Sequence, residues 1–364
     1  MSFFILILYI MVKKLFITNI YTNKEMKQME GTWITEDDIK FPIINEDTDI
    51  YYKYIDDNIK RDKKRTDWIN NSESPGWKLL LKFRKNVISD ELIHIGWKSY
   101  KDLAKASRGR GASAGPINVS GTYWSKRDLY ETNKWSTSYM VKGKKSKMKV
   151  NNQVASNPVG FYEESNNFSK LPCRLTHFTR TNFEKYNQGL PFIQKIDNLF
   201  QELIPGAHKR QLDRANLKDK FKIPDTSFST VTINRNFRTA LHRDAGDFKG
   251  GFGNLTVIER GKYHGGYTVF PQFGIGIDLR NNDFVAMDVH QWHSNTEIIE
   301  TPEDKQFNET IGIDYKDNPD VGTEGIYTKY TRLSFVCYLR EKIINCDNDN
   351  VDIRFLQKSG HTKI

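Results

Sequence analysis

The sequence is poor in the features that mark secreted, disulfide-stapled proteins. It holds 3 cysteines among 364 residues, and no two of them stand in a CxxC pair. Cys173, Cys337 and Cys346 are too few and too scattered for a disulfide framework, and their spacing matches no zinc site. A reducing intracellular setting is therefore expected.

Long apolar runs are also missing. The apolar stretch near the start covers only residues 3–12, whereas a membrane-spanning helix needs roughly 20 residues. It lacks the basic flank and small-residue cleavage site of a signal peptide. We expect a mis-assigned start, with Met11 or Met26 as alternative starts, or a packed strand. A membrane anchor is the less favoured interpretation, and no membrane partner is predicted.

Positive charge is present in excess. The formal net charge is +10, the pI is about 9.2 and aromatic residues make up 13%. The aromatic content excludes a disordered chain. The charge favours an acidic partner such as nucleic acid, although a generally lysine-rich protein explains it equally well.

The hydrophobic pattern changes period along the chain. Residues 76–106 carry apolar residues at mixed helical spacing and predict one or two helices. Residues 182–216 predict a clear amphipathic helix that Pro205 and Gly206 end. Its apolar stripe consists of Phe192, Ile193, Ile196, Leu199, Phe200 and Leu203.

From residue 226 onwards the runs become short, β-branched and aromatic, as in "SFSTVTINRNF", "GNLTVIER" and "RLSFVCYL". Turn residues separate them at fairly regular spacing, which is typical of an antiparallel barrel. The predicted fold class is α+β: a double-stranded β-helix (jelly-roll) barrel with supporting helices and an N-terminal α/β extension. We divide the chain into a leader (1–75), a basic extension (76–155), a core (156–345) and a tail (346–364).

A histidine and an aspartate, His242 and Asp244, follow a strand-like run with one residue between them. On extended backbone, residues two apart share a face, so both side chains can reach one ion. His264, His290 and His293 are candidates for a third ligand. We favour His293 because it closes the apolar run "DFVAMDVHQWH", whereas His290 would project to the other side. Two histidines and one carboxylate form the ligand set of non-haem Fe(II) oxygenases; the ordinary alternative is a hydrogen-bonded His–Asp pair.

An arginine opens the last apolar strand. In "TRLSFVCY", Arg332 and Ser334 alternate with apolar residues and share one face. An inward guanidinium in a small barrel is costly unless it binds an anion, and it matches a carboxylate in a two-pronged pair. The dicarboxylate 2-oxoglutarate would fit between such a residue and a metal. The alternative is an edge-strand arginine that points to solvent.

Basic residues cluster before the core. Arg108 and Arg110 stand in a glycine-rich loop, and a row of lysines follows on a predicted strand: Lys142, Lys144, Lys145 and Lys147. Such a row suits a phosphate backbone. A solvated edge strand blunted by lysine is the competing interpretation.

Taken together, these motifs resemble a known family. "NRNFRTALHRDAGDFKGGFGN", "GGYTVFPQFGIGIDLRNNDFVAMDVHQWHSNTEI" and "TRLSFVCY" look like the TET/JBP group of Fe(II)- and 2-oxoglutarate-dependent DNA dioxygenases. The likeness covers roughly residues 95–340, is strongest over 224–298, and is closer to the JBP-type thymine dioxygenases.

The resemblance implies specific roles. The iron ligands would be His242, Asp244 and His293, and Arg332 would bind 2-oxoglutarate. A long segment separates His293 from Arg332, so a shift in register would make Arg340 the 2-oxoglutarate partner instead. Asn236, like Asn234, would orient the co-substrate, with a strand-end turn as the alternative role.

The implied reaction is hydroxylation of the 5-methyl group of a DNA pyrimidine that is flipped out of the duplex. Asp247, three residues after Asp244, would face the base. An ionised carboxylate only accepts hydrogen bonds and so favours thymine, which donates from N3 and would become 5-hydroxymethyluracil. A protonated Asp247 would also serve 5-methylcytosine, and a turn-capping role is the ordinary alternative.

Two other functions stay open. The second hypothesis is the same chemistry on a protein or a small molecule, in which case the lysine row would be dispensable. A catalytically silent, DNA-binding barrel is the third hypothesis, although it would not need four inward polar groups in one pocket. For the leading hypothesis we expect the chain in the nucleus or wherever genomic DNA resides.

Overall fold

The computed structural model describes residues 12–53, 76–103, 106–107, 109–121, 124–164, 171–311 and 330–347. The apolar start, Arg108 and nearly all of the predicted tail lie outside these residues, so the structure does not bear on the predictions made for them. Met26, one of the alternative starts, is fully buried.

The described residues form eighteen β-strands, numbered in chain order: β1 Lys13–Ile17, β2 Thr48–Lys53, β3 Trp77–Arg84, β4 Ala106–Ser107, β5 Leu129–Thr132, β6 Thr137–Val141, β7 Lys144–Lys145, β8 Val154–Tyr162, β9 Arg174–Leu175, β10 Thr230–Arg235, β11 Gly253–Arg260, β12 His264–Gly265, β13 Thr268–Phe270, β14 Ile275–Ile277, β15 Phe284–Met287, β16 Ser294–Asn295, β17 Ile298–Ile299 and β18 Thr331–Tyr338.

Six α-helices are described alongside these strands: α1 Asn23–Met29, α2 Asp90–Tyr100, α3 His177–Thr181, α4 Phe183–Leu203, α5 Pro205–Asn216 and α6 Pro302–Thr310. Short 3-10 turns occur at Glu36–Asp38, Gly111–Ala114, Asp219–Phe221, Pro271–Phe273 and Glu341–Asn345. The mixture of helices and sheets agrees with the predicted α+β class.

One large sheet organises the chain. Its ten strands run in the order β1-β2-β3-β15-β11-β18-β10-β8-β4, with β9 paired to β8. β1 pairs with β2 in parallel, and β10, β11 and β18 pair antiparallel at its centre. A three-stranded sheet, β14-β13-β16, and the two-stranded β12-β17 stand apart from it. The predicted strands of the C-terminal half are thus confirmed as β10, β11, β13 to β15 and β18.

The helices α2 to α5 cover one face of the large sheet. The predicted apolar stripe of α4 packs with alternate residues of β18, namely Leu333, Phe335 and Cys337, in one buried cluster. The ring of Phe192 meets the ring of Phe335 edge-on at 4.9 Å. Because side chains alternate across a strand, the other residues of β18 must point to the opposite face, away from the helices.

One local prediction was wrong. Residues 76–106 begin with β3 instead of a helix, because Trp77–Arg84 lies between β2 and β15 in the large sheet; among the described residues of this range, only α2 is helical. The predicted stop at Pro205 is confirmed, because α4 ends at Leu203. Pro205 then begins a second helix, α5, at a position where a missing N–H and a fixed φ cost nothing.

The lysine row lies on a hairpin instead of on one strand face. Lys142 and Gly143 have φ of 49° and 74° and form the turn between β6 and β7. Two residues at positive φ are typical of the tight turns that match strand twist. The side chains of Lys142, Lys144, Lys145 and Lys147 are all exposed, and Lys145 Nζ lies 5.4 Å from the ring centroid of Tyr130.

The N-terminal strands continue the large sheet without a break. β2 pairs with β3, and β3 pairs with β15, so hydrogen bonding crosses the predicted boundary at 75/76. The strand β8 crosses the boundary at 155/156. The division into four segments stays a prediction, but the sheet itself joins the first three.

A disulfide joins two of the cysteines. Cys173 and Cys346 are bonded, with their Cα atoms 5.7 Å apart, while Cys337 is free and buried. The sequence analysis did not anticipate this bridge, because 173 residues separate the partners and neither stands in a recognisable motif. Among the described residues, no helix has the length and apolarity needed to cross a bilayer.

The contact between helices and sheet yields a stability prediction. Phe192→Ala removes a fully buried ring and should lower the free energy of unfolding by about 3–5 kcal/mol, measured by urea denaturation. Phe41→Ala, at a side chain that is 49% exposed, should change it by only about 0.5 kcal/mol. A loss below about 1 kcal/mol for Phe192→Ala would contradict the proposed core.

Candidate metal centre and cavity

Backbone pairing brings the two favoured histidines together. The N–H of His242 donates to the carbonyl of His293 at 3.0 Å, and the N–H of His293 donates to the carbonyl of His242 at 3.0 Å. This isolated antiparallel bridge aligns the two side chains, whose ring centroids are 4.4 Å apart.

Local hydrogen bonds orient both imidazoles. Nδ1 of His242 lies 2.8 Å from the carbonyl of Ala240, and Nδ1 of His293 lies 2.9 Å from the carbonyl of Gln291. A carbonyl only accepts, so each Nδ1 carries the hydrogen and each Nε2 keeps its lone pair. This is how a neighbouring group selects the nitrogen that is free for a metal.

Asp244 completes the cluster. Its carboxylate oxygens lie 3.5 Å from Nε2 of His242 and 3.7 Å from Nε2 of His293, and one ligand atom from each residue lies within 4.8 Å of the others. Burial lowers the pKa of His293 to about 4, and the neighbouring His242 adds to the shift. His293 is therefore neutral at physiological pH, as a metal ligand must be.

The rival histidines lie elsewhere. Nδ1 and Nε2 of His290 lie 3.1 Å and 3.3 Å from the carbonyl oxygens of Asp244 and Phe248. His264 is largely exposed and lies 3.2 Å from Asp304. Neither belongs to the cluster of metal-ligating atoms found among the described residues.

The cluster opens into a cavity of about 130 Å³ between the large sheet and the three-stranded sheet. β18 contributes Arg332, Ser334, Val336 and Tyr338, the residues that alternate with its helix-facing core positions. The opposite wall includes Thr268 of β13 and Asn295 of β16. The predicted inward face of β18 therefore lines the same cavity as the histidines.

Arg332 is only 5% exposed, and its Nε has no hydrogen-bond partner in the described structure. Leaving a buried guanidinium donor without an acceptor costs free energy. An anion that enters the cavity and accepts from this donor would remove that cost. Gly266 leaves room for it: its φ is +68°, and an added Cβ would lie 3.4 Å from Nε of Arg332.

Arg340 is engaged by the protein itself. Its Nη1 lies 2.9 Å and 2.8 Å from the two carboxylate oxygens of Glu163, and Nε donates to Thr230 at 3.1 Å. Arg340 is absent from the residues that line the cavity. The geometry thus favours Arg332 over Arg340 for an anion inside the cavity.

The two asparagines differ in position. Asn234 lines the cavity and donates to the hydroxyl of Ser334 at 3.2 Å, while Ser156 of β8 donates to its side-chain oxygen. The side-chain oxygen of Asn236 accepts from the backbone N–H of Arg332 at 2.7 Å, and its amide donates to the carbonyl of Tyr330. Asn236 therefore stands at the strand end, where it holds the backbone of Arg332, and Asn234 faces the cavity.

Asp247 lies on the cavity wall. It is 8% exposed, and its Oδ2 has no hydrogen-bond partner in the described structure. Burial raises the pKa of Asp247 well above its usual range; the negative charge of Asp244 raises it further, and Arg340 opposes the shift. The shift acts in favour of the acid form, with one donor and one acceptor, which is the second of the two forms considered for Asp247 above.

Arg110 also lines the cavity, together with Ser113 of the following 3-10 turn. Arg110 was predicted to lie on an outer phosphate surface, and four further cavity residues were not predicted from the sequence: Ser113, Ser156, Thr232 and Tyr338. Thr232 and Tyr338 had a usable signal, because each lies two residues from another cavity residue on its strand. Ser113 and Ser156 had none, because tertiary packing alone brings their segments to the cavity.

Two histidines and one carboxylate that face a shared point between two sheets define a candidate non-haem metal oxygenase. Residues 157–341 match the family Tet_JBP, described as the oxygenase domain of the 2OGFeDO superfamily. This match covers half of the sequence, and the chain belongs to that family.

Curated relatives carry related names. The chain is 32% identical over 187 residues to the bifunctional helicase and thymine dioxygenase JBP2 of Leishmania tarentolae. The aligned region covers 51% of this chain and 14% of that protein. It is 34% identical over 138 residues to the thymine dioxygenase JBP1-A of Trypanosoma cruzi, covering 38% and 16%. The chain thus matches only a small part of these longer relatives.

A solved structure, NgTET1 in complex with 5mC DNA, aligns with 92% of this chain and 99% of that chain. The TM-score is 0.46 and the sequence identity is 9%.

The cluster predicts metal binding. The purified chain should bind one equivalent of Mn²⁺, measured by the loss of the free-ion electron paramagnetic resonance signal. His293→Ala should weaken this binding by more than the roughly 10–100-fold that changes around a ligand produce. His264→Ala, at a histidine outside the cluster, should bind like wild type. Unchanged affinity in His293→Ala would exclude this residue as a ligand.

Proposed function

We propose that the chain is an Fe(II)- and 2-oxoglutarate-dependent dioxygenase that hydroxylates the 5-methyl group of thymine in DNA to give 5-hydroxymethyluracil. The observation that carries this proposal is the set of residues that line one cavity. It joins the cluster of two histidines and a carboxylate to a buried arginine whose Nε has no acceptor among the described residues. Membership in an oxygenase family and the names of the curated relatives support the same reaction.

The proposed roles follow from the donor types. Nε2 of His242, Nε2 of His293 and the carboxylate of Asp244 would hold iron. The guanidinium of Arg332 and the hydroxyl of Ser334 would bind the far carboxylate of 2-oxoglutarate, and Asn236 would act through the backbone of Arg332. With 2-oxoglutarate and dioxygen, bound iron supplies the oxidising power that turns a methyl C–H into C–OH.

The two facing sheets support a double-stranded β-helix as the architecture of this core. In that arrangement, the large sheet would provide the wall with Arg332, and the smaller sheet would provide the wall next to His293. The apolar side chains of Leu255, Met287 and Val336 line the space between them and would limit water near the reacting carbon.

Asp247 would read the base. In its acid form, the hydroxyl can donate to a carbonyl oxygen of thymine while the other oxygen accepts from N3–H. The same acid can donate to N3 of 5-methylcytosine and accept from its amino group, so Asp247 alone does not separate the two bases. The raised pKa of Asp247 therefore keeps 5-methylcytosine as a second candidate substrate. The assignment of thymine is based on the names of the curated relatives.

DNA would be the partner. A base in a duplex cannot reach a cavity between two sheets, so the target must be flipped out. The exposed lysines of the β6–β7 hairpin, Lys142, Lys144, Lys145 and Lys147, would contact backbone phosphates, and Arg110 would lie nearer the entering nucleotide. The chain would then act wherever genomic DNA resides.

The defining experiment is mass spectrometry of nucleosides from DNA that was incubated with the protein, Fe(II), 2-oxoglutarate and ascorbate. Thymine-only and 5-methylcytosine-containing duplexes run in parallel, with His242→Ala as the blank. We expect 5-hydroxymethyluracil above the blank. If 5-hydroxymethylcytosine appears instead, the chemistry stands and the thymine assignment fails. Succinate release without either product would favour a protein or small-molecule substrate.

The hairpin surface can be tested by salt dependence. The double variant Lys144→Gln and Lys145→Gln should weaken DNA binding and reduce the slope of log K against log salt concentration by about 1.8, at roughly 0.9 per lost phosphate contact. The matched control, Lys98→Gln with Lys209→Gln, removes two exposed lysines from the helical layer. Equal slopes for the two double variants would contradict a phosphate-binding hairpin.

A further inference from the structure

We infer that His290 is a positioning residue that fixes the segment from Asp244 to Phe248 in the geometry needed for the metal site. The inference rests on the proposed function, since this segment carries Asp244, the proposed carboxylate ligand, and Asp247, the proposed base contact. His290 belongs to neither role: its ring nitrogens approach backbone carbonyls instead of the cavity.

The imidazole spans both ends of the segment. Nδ1 lies 3.1 Å from the carbonyl of Asp244, and Nε2 lies 3.3 Å from the carbonyl of Phe248. Each neutral tautomer of the ring has one N–H, so it donates to one of these carbonyls and its other nitrogen only lies against the second. The ring thus anchors one end of the segment by a hydrogen bond and packs against the other end.

Backbone bonds hold the other side of the same segment. The N–H of Asp244 donates to the carbonyl of Val289 at 3.0 Å, and the N–H of Phe248 donates to the carbonyl of Leu339 at 2.7 Å. These two contacts fix the amide groups, while His290 faces the carbonyls. The middle of the segment includes Ala245 and Gly246, which are exposed and add little packing of their own.

A buried carboxylate holds His290 in turn. Oδ1 of Asp288 accepts from the backbone N–H of His290 at 3.1 Å. Oδ2 of Asp288 accepts from the hydroxyl of Tyr52 at 3.2 Å and from the amide of Gln291 at 3.1 Å. The backbone N–H of Asp288 donates to Leu80 at 2.8 Å. Partners on three sides thus fix the turn that presents His290.

Two of these partners lie outside the oxygenase family match of residues 157–341. Tyr52 belongs to β2 and Leu80 to β3, the strands that extend the large sheet at its N-terminal edge. The N-terminal region therefore supports the candidate metal site through a chain of contacts: Tyr52 to Asp288, Asp288 to His290, and His290 to the backbone beside Asp244.

The test compares variants that differ in hydrogen-bonding capacity. His290→Phe keeps a flat ring and removes both nitrogens, while His290→Gln keeps an N–H donor. His264→Phe is the matched control at an exposed histidine. The readouts are the Mn²⁺ dissociation constant, hydrogen exchange of the amides of residues 245–248, and KM for 2-oxoglutarate against kcat.

We expect His290→Phe to raise the Mn²⁺ dissociation constant about 10–100-fold and to speed exchange in residues 245–248. His290→Gln should restore most of the affinity, and His264→Phe should match wild type. If His290→Phe does not fold, as judged by circular dichroism, Tyr52→Phe replaces it. That variant removes one donor to Asp288 and should weaken Mn²⁺ binding in the same direction by a smaller factor.

Two results would overturn the inference: wild-type Mn²⁺ affinity in folded His290→Phe, or equal weakness in His290→Phe and His290→Gln. These results differ from failure of the proposed function, which would appear as a wild-type protein that binds no Mn²⁺ or hydroxylates no DNA base. If wild type hydroxylates DNA and His290→Phe binds Mn²⁺ normally, only the inference falls.

Discussion

The reciprocal backbone pair between His242 and His293 is the contact on which the candidate site depends. These residues come from two connections that are far apart in sequence, and only the meeting of their backbones places both Nε2 atoms beside Asp244. His293 stands between β15 of the large sheet and β16 of the three-stranded sheet, so the pairing of these strands brings it to His242. The candidate metal site therefore depends on tertiary structure more than on the local motif.

The cavity gathers groups that an apolar core would exclude. Arg332 and Asp247 are buried, and each has a side-chain atom without a partner in the part of the chain that the structure describes. By contrast, the buried charge of Arg340 is satisfied by Glu163 and its neighbours. Buried polar atoms are almost always paired, so this contrast distinguishes a structural ion pair from the two groups that we propose as ligand contacts.

Hydrophobic periodicity correctly predicted those strands and helices whose structure follows from the pattern of their own residues. The stripe on α4 and the alternation along β18 are local patterns, and both appear in the structure as expected. The helix predicted at 76–106 failed because β3 gains its stability from β2 and β15, which are remote in sequence. The positions of Arg110, Ser113 and Ser156 in the cavity likewise depend on contacts that no single segment encodes. The raised pKa of Asp247 depends on burial that only the fold creates.

The disulfide between Cys173 and Cys346 closes most of the core into one covalent ring. The chain between them includes α3 to α6, the central strands β10, β11, β15 and β18, and every residue of the histidine–aspartate cluster. A single cut anywhere inside this ring would leave two pieces that stay attached under oxidising conditions and separate only after reduction. A chain with a cleaved backbone can thus remain one covalent molecule. Gels run with reductant would reveal the cleavage, and gels run without reductant would show whether the pieces are still joined.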